Sequence, residues 1–166
     1  LRRAMLLAVG FTYYYRLSVV TEVDRRVDLR KRYVQMVNQA SYGLRLEEVL
    51  RQEQTRYLKA LTVPPWVAAN DAFKQNVFML LTSVLTKTPI IVVGRPGSSK
   101  TLAASVIRES FSQATRPTLP GNIRLPALHF APFQCSRLTT SEGIKERFAY
   151  AERFQKQANT GRGGGY

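Results

Sequence analysis

The chain has 166 residues, enough to bury one sizeable core, and its 45% hydrophobic and 22% charged residues place it among ordinary globular chains. Its 25 Lys and Arg against 11 Asp and Glu give a net charge of +14. That charge invites an anionic partner, but the basic residues are spread and no aromatic-interleaved stacking platform is visible, so nucleic acid is not the expected ligand. One cysteine and one histidine exclude a disulfide framework or a Cys/His zinc site within these residues.

Arg2-Arg3 followed by AMLLAVGFTYYY has the outline of a charged and apolar leader. The apolar run stops at Arg16, short of the ~20 residues a bilayer needs, and no small-residue cleavage pattern follows. A helix over residues 3–19, buried within a larger assembly, is the simpler expectation. A charged helix follows over 24–41, with Val27, Val34 and Val37 as its apolar stripe. The densest basic run, Arg25-Arg26 with Arg30-Lys31-Arg32, forms a solvated face or meets an acidic neighbour. Gly43 breaks the pattern. A helix over 45–61 puts Leu46, Val49, Leu50, Tyr57, Leu58 and Leu61 on one face. Residues 62–67, with Pro64, Pro65 and Trp66, mark a boundary, so 1–61 reads as a helical segment.

Beyond it the rhythm changes to alternating helix and strand, as in an α/β nucleotide-binding domain over 62–160. A helix at 69–86 places Phe73, Val77, Leu80, Leu81 and Val84 together. Its run from Val77 to Leu85 is too short to span a membrane and carries Thr82 and Ser83. Thr88-Pro89 ends it. The β-branched residues Ile90, Ile91, Val92 and Val93 then predict a buried parallel strand. Gly94, Arg95, Pro96, Gly97, Ser98, Ser99, Lys100 and Thr101 follow, leading into a helix at 100–113 with Leu102, Ala103, Val106 and Ile107 as its apolar side.

Strand, glycine-rich turn and helix are what a phosphate-binding loop requires. The turn aims backbone N–H groups inward, and the helix N-terminus adds donors and the positive end of its dipole. Lys100 would reach the β- and γ-phosphates of a nucleotide and Thr101 would ligate Mg²⁺. Gly97 permits positive φ. The usual pattern, G-x-x-x-x-G-K-[ST], has glycine where this chain has Ser99.

Pro117, Pro120 and Gly121 make a loop, and a strand is expected at 127–134. Thr139 and Glu142 have capping-box spacing ahead of a helix that buries Ile144, Phe148, Ala151 and Phe154. The glycine-rich residues 161–166 read as a flexible tail, and with Leu1 at the start they suggest a piece of a larger protein.

Hydrolysis needs an acidic pair at the end of a second buried strand. After the loop there is no aspartate, and Glu109, Glu142, Glu146 and Glu152 sit in helical patterns. No catalytic residue is therefore assigned. His129 lacks a carboxylate partner nearby in sequence and reads as structural; Cys135 reads as a structural or buried thiol. A GTPase would need N-K-x-D, which is absent. The competing reading is a non-enzymatic scaffold with a degenerate loop.

The string VVGRPGSSKTLA resembles the nucleotide-binding loop of the AAA+ modules in the mysterin-like giant ring-finger E3 ubiquitin ligases, which tolerate serine at the Ser99 position. The likeness continues upstream through Pro64-Pro65-Trp66-Val67-Ala68-Ala69-Asn70, Ala72-Phe73 and Asn76-Val77-Phe78-Met79-Leu80. Downstream it takes in Phe133-Gln134-Cys135-Ser136 and Glu142-Gly143-Ile144, about 56–157 in all. Gln75 departs from it, where glutamate is expected. The resemblance implies an incomplete P-loop NTPase (AAA+) three-layer α/β core preceded by a helical lid or linker. It implies ATP and Mg²⁺ as ligands, with Val67, Ala68 and Asn70 at the adenine; Asn70 is equally suited to cap its helix. It further implies a cytoplasmic ATPase module, joined to the rest of an AAA+ core and to the ubiquitin machinery through its parent. Acidic motif, sensors and arginine finger would lie outside this chain, leaving the fragment alone inactive.

Overall fold

A computed structural model describes residues 1–19, 22–112, 117–124 and 128–160. The chain divides into two units, Leu1–Leu128 and His129–Tyr166.

The first unit opens with α1 (Arg2–Val9), which widens into a π turn at Gly10–Tyr14 and tightens to a 3-10 turn at Tyr15–Val19. The expected uniform helix over 3–19 thus changes type midway. Gly10 lies so close to α3 (Leu46–Leu58) that an added Cβ would stand 2.7 Å from Leu50 Cδ2. The change of ladder at the π turn re-aims the tyrosines that follow. Tyr15 is buried and its hydroxyl accepts from Gln54 Nε2 at 2.7 Å, while the Tyr14 hydroxyl donates to Glu47 Oε1 at 3.0 Å. Burial, opposed by the Gln54 bond, pushes the Tyr15 pKa up to about 12. Arg3 anchors α1 to α3 through Nη2 and Nε, 2.7 and 3.1 Å from the buried Glu53 carboxylate.

The charged helix α2 (Val23–Ala40) has no buried residue. Tyr33, Val34 and Val37 pack partly against the core, but Val27 is 43% exposed and falls outside the expected stripe. Arg25, Lys31 and Arg32 are exposed, and Arg32 pairs with Asp28 at 2.9 Å. Tyr42 and Gly43 take positive φ and reverse the chain, and Asn38 Oδ1 accepts from Leu46 N at 2.8 Å to cap the start of α3. Leu6, Tyr15, Leu46, Val49, Leu50 and Phe78 form one core cluster.

Phe78 belongs to α4 (Asp71–Thr86), which packs on α3 and on α5 (Lys100–Ser112). Asn70 caps α4, its Oδ1 accepting from Phe73 N at 2.9 Å, and Lys87 in the left-handed region ends it. The buried side of α4 is Phe73, Val77, Phe78 and Leu81; Leu80 and Val84 are half-buried, because α3 and α5 draw the buried stripe toward Phe78. Across from it α5 buries Ala103, Val106, Ile107 and Phe111. The buried Ser110 hydroxyl accepts from Thr62 N at 3.0 Å, tying the 62–67 connection to α5.

No strand forms at 90–93, contrary to expectation: Ile91 and Val93 are 90% and 80% exposed. A β-branched run becomes a strand only when neighbours take up its N–H and C=O groups. Among the described residues the only sheet is the antiparallel ribbon of β1 (Thr118–Leu119) and β2 (Ile123–Arg124), pairing Thr118 with Arg124 and Leu119 with Ile123. The three-layer core expected from the sequence is therefore not formed among these residues, which are mostly helical. Residues 128–134 are likewise irregular, and residue 127 of that expected strand lies outside the described residues, as do residue 113 and the 161–166 tail.

In the second unit α6 (Ser141–Thr160) follows an irregular segment. Its cap is Thr140, not Thr139: Thr140 Oγ1 accepts from Gly143 N at 3.2 Å, whereas Thr139 Oγ1 accepts from Ser136 N at 2.7 Å. A glycine at the third helical position cannot close a capping box, and Glu142 instead lies 3.7 Å from Lys145. The apolar face expected to be buried is not, with Phe148 73% exposed and Ile144 and Phe154 38%, since within this unit only the preceding segment lies against it. From that segment His129 stacks on Phe154 at 3.6 Å, and Arg147 donates from Nη2 and Nε to the Pro132 carbonyl at 2.7 and 3.0 Å. Cys135 is an exposed free thiol, not a buried one, because its segment lies in no layered core.

Candidate functional site

Residues 94–101 join the unpaired 90–93 segment to the first turn of α5. The turn is real: Ser98 N donates to Arg95 O at 3.3 Å, and Gly97 and Ser99 take φ of 78° and 60°. Nothing lies within 4 Å of a Cβ added at Gly97, so glycine is wanted there for backbone conformation alone. At Gly94 the demand is for space, since a Cβ would stand 2.8 Å from Ser98 Oγ. Ser99 reaches the left-handed region with a side chain, at a cost of about 1–2 kcal/mol relative to glycine. Its carbonyl accepts from Ala103 N at 2.9 Å, starting the helical ladder of α5.

The Lys100 ammonium folds back over this turn. It donates to the carbonyls of Gly94 at 2.7 Å and Arg95 at 2.8 Å, and to Ser98 Oγ at 2.9 Å. The half-buried lysine thus places one positive charge at the N-terminal, electropositive end of a helix, inside a turn rich in backbone amides. Cation, amides and helix end together favour an anion with several acceptor oxygens. The Thr101 side chain stands exposed in the first turn of α5. Arg95 and Pro96 are exposed at the crest. No group of three or more His, Cys, Asp and Glu suited to a metal occurs among the described residues, so a divalent cation here would depend on Thr101 together with ligand oxygens.

The contacts of Val67, Ala68 and Asn70 are local to the entry into α4. Val67 N donates to Pro64 O at 3.0 Å and Asn70 N to Ala68 O at 2.8 Å, while the Asn70 side chain caps α4. No site motif in the sequence singles out Asn76. This residue projects from α4 and donates from Nδ2 to Ser98 O at 2.7 Å. The signal was present as an amide, a poor helix former, between Phe73 and Val77. Beside it, Gln75, Asn76 and Met79 of α4 line a cleft of about 530 Å³ together with residues 88–93 and with Phe11, Tyr15 and Arg16.

The class follows from comparison with known families: residues 66–163, more than half of the chain and including the whole loop, match the family described as the RNF213 AAA domain. The chain belongs to this AAA-domain family, in agreement with the resemblance read from the loop and its flanks. It is 33% identical over 158 residues to the zebrafish (Danio rerio) E3 ubiquitin-protein ligase rnf213-beta, covering 95% of this chain. It is 29% identical over 157 residues to human (Homo sapiens) E3 ubiquitin-protein ligase RNF213, covering 92% of this chain. The chain spans about 3% of the length of these relatives. No solved structure matches. No helix among the described residues is long and apolar enough to cross a membrane.

Proposed function

We propose that this chain supplies the ATP-binding loop of an AAA+ module within a larger E3 ubiquitin ligase. Gly94 to Thr101 would hold the phosphates and Thr101 the Mg²⁺ that accompanies them. Val67, Ala68 and Asn70 would line the adenine side, the Asn70 amide remaining free to donate while its carbonyl caps α4. The observation that carries this reading is the Lys100 ammonium, held within a positive-φ turn at the start of α5 by three oxygens of residues 94, 95 and 98. Phosphate oxygens are stronger acceptors for an ammonium than carbonyls, so ligand can replace those contacts.

The AAA+ core of this reading has 62–160 as its beginning and 1–61 as a preceding lid or linker. In it, residues 90–93 and 127–134 become strands when the remainder of the module supplies their neighbours. In this reading the hydrolytic acids come from elsewhere in the parent, since no aspartate follows the loop, and this chain contributes ATP binding alone. A cytoplasmic setting and coupling to ubiquitin transfer belong to the same proposal and come through the parent.

The test is equilibrium binding of labelled ATP with Mg²⁺ to the chain and to Lys100→Ala. Loss of the charge-assisted contact should weaken binding by about tenfold or more. Unchanged affinity would remove the site assignment. A second reading, a scaffold whose loop no longer takes nucleotide, draws support from the cost of Ser99 at φ 60° and from the internal satisfaction of Lys100. Absence of ATP binding by the intact chain favours it.

A further inference from the structure

Ser99 stands where the usual loop has glycine, yet it takes φ of 60°, a conformation that glycine enters without penalty. Something outside the loop must hold it there. Two contacts grip the backbone on either side. The Ser99 carbonyl is taken by Ala103 N within α5, and the Ser98 carbonyl by Asn76 Nδ2 from α4, at 2.7 Å.

The second contact has a stereochemical consequence. No peptide bond in the described chain is cis, so the carbonyl of Ser98 and the N–H of Ser99 point in opposite directions from one planar unit. Fixing that carbonyl on Asn76 turns the Ser99 N–H away from α4. We propose that Asn76 is the positioning residue of this loop: by holding the Ser98–Ser99 peptide it presents the Ser99 amide to phosphate and replaces the conformational freedom of the missing glycine. The inference rests on the loop being a phosphate site. Asn76 itself need not touch the ligand. It sits on a rigid element whose neighbours Phe73 and Val77 are buried, which suits it to hold a loop in place.

The experiment uses the full chain, with Asn76→Ala and the isosteric Asn76→Asp, each in the natural background and with Ser99→Gly. Binding of labelled ATP with Mg²⁺ is the first readout. In the natural background both variants should weaken binding about tenfold, the loss expected for one well-formed hydrogen bond. With Ser99→Gly the loss should shrink to within about threefold, because glycine no longer needs the grip. The second readout is hydrogen exchange at the Ser98 and Ser99 amides without added nucleotide, which Asn76→Ala should speed while α4 and α5 keep their protection. Undiminished ATP affinity in Asn76→Ala, where Lys100→Ala does weaken it, overturns the inference alone. So does an equal loss in both backgrounds. If the intact chain binds no ATP, the nucleotide reading falls by itself. Loop exchange then decides the positioning role, and unchanged exchange at 98–99 overturns it.

Discussion

Replacing Gly10 by alanine tests the packing that sets α1 against α3. The backbone at Gly10 is helical, with φ of −62°, so alanine meets no conformational obstacle and should by itself stabilise by about 1 kcal/mol. Space opposes it. The new methyl would lie 2.7 Å from Leu50 Cδ2, 3.1 Å from Cδ1 and 3.3 Å from Cγ, against ~3.5–4.0 Å for good carbon contacts. Leu50 is 2% exposed and held among Leu6, Tyr15, Leu46, Val49 and Phe78, so it cannot turn aside cheaply. Overpacking of this kind costs about 1–3 kcal/mol. The balance is a destabilisation of up to about 2 kcal/mol, a few degrees in Tm for a chain of this size. Urea denaturation followed by circular dichroism measures it. In a Leu50→Ala background the obstacle is gone, and the same substitution should be neutral or stabilising. A Gly10→Ala variant that gains stability in the natural background, as an open helical glycine would, refutes the close approach.

Other outcomes follow from the same geometry. Burial raises the Tyr15 pKa from 10.0 to about 12, so the folded chain keeps this proton where the unfolded chain loses it. Its contribution is fully present below about pH 10 and declines as pH rises toward 12, by roughly 2–3 kcal/mol in all; Tyr15→Phe should reduce the alkaline fall in urea midpoint, and an equal fall in both proteins counts against the assignment. Asn70→Ala should cost about 1 kcal/mol through loss of the cap, while Asn70→Asp keeps the acceptor and the stability. If Asn70→Asp also keeps ATP affinity, its amide makes no base contact. Gly97→Ala meets no atom within 4 Å but must adopt φ of 78°, so it should weaken ATP binding several-fold, with the backbone penalty of about 1–2 kcal/mol as the source. Wild-type affinity together with wild-type stability in this variant would show that the turn does not need this conformation.

Local patterns in the sequence were enough to locate the helices at 24–41, 45–61, 69–86 and 100–113 to within a few residues. They also located the break at Gly43 and the turn ending in Lys100. Each of these depends on neighbours a few positions away: a 3.6-residue apolar stripe, a cap such as Asn70, a glycine that can take positive φ. The strands were not legible in the same way, because 90–93 has the composition of a strand, but pairing is decided by residues distant in the chain. The burial expected for the apolar stripe of α6 fails for a related reason: periodicity identifies an apolar face without saying what covers it, and Phe148 is left 73% exposed. Only tertiary structure could show the π turn that follows α1, the fit of Gly10 against Leu50, the burial of Glu53 beneath Arg3, and the hold of Asn76 on Ser98. The last three join residues 22 to 50 positions apart, and no pattern within one segment encodes the distance between two.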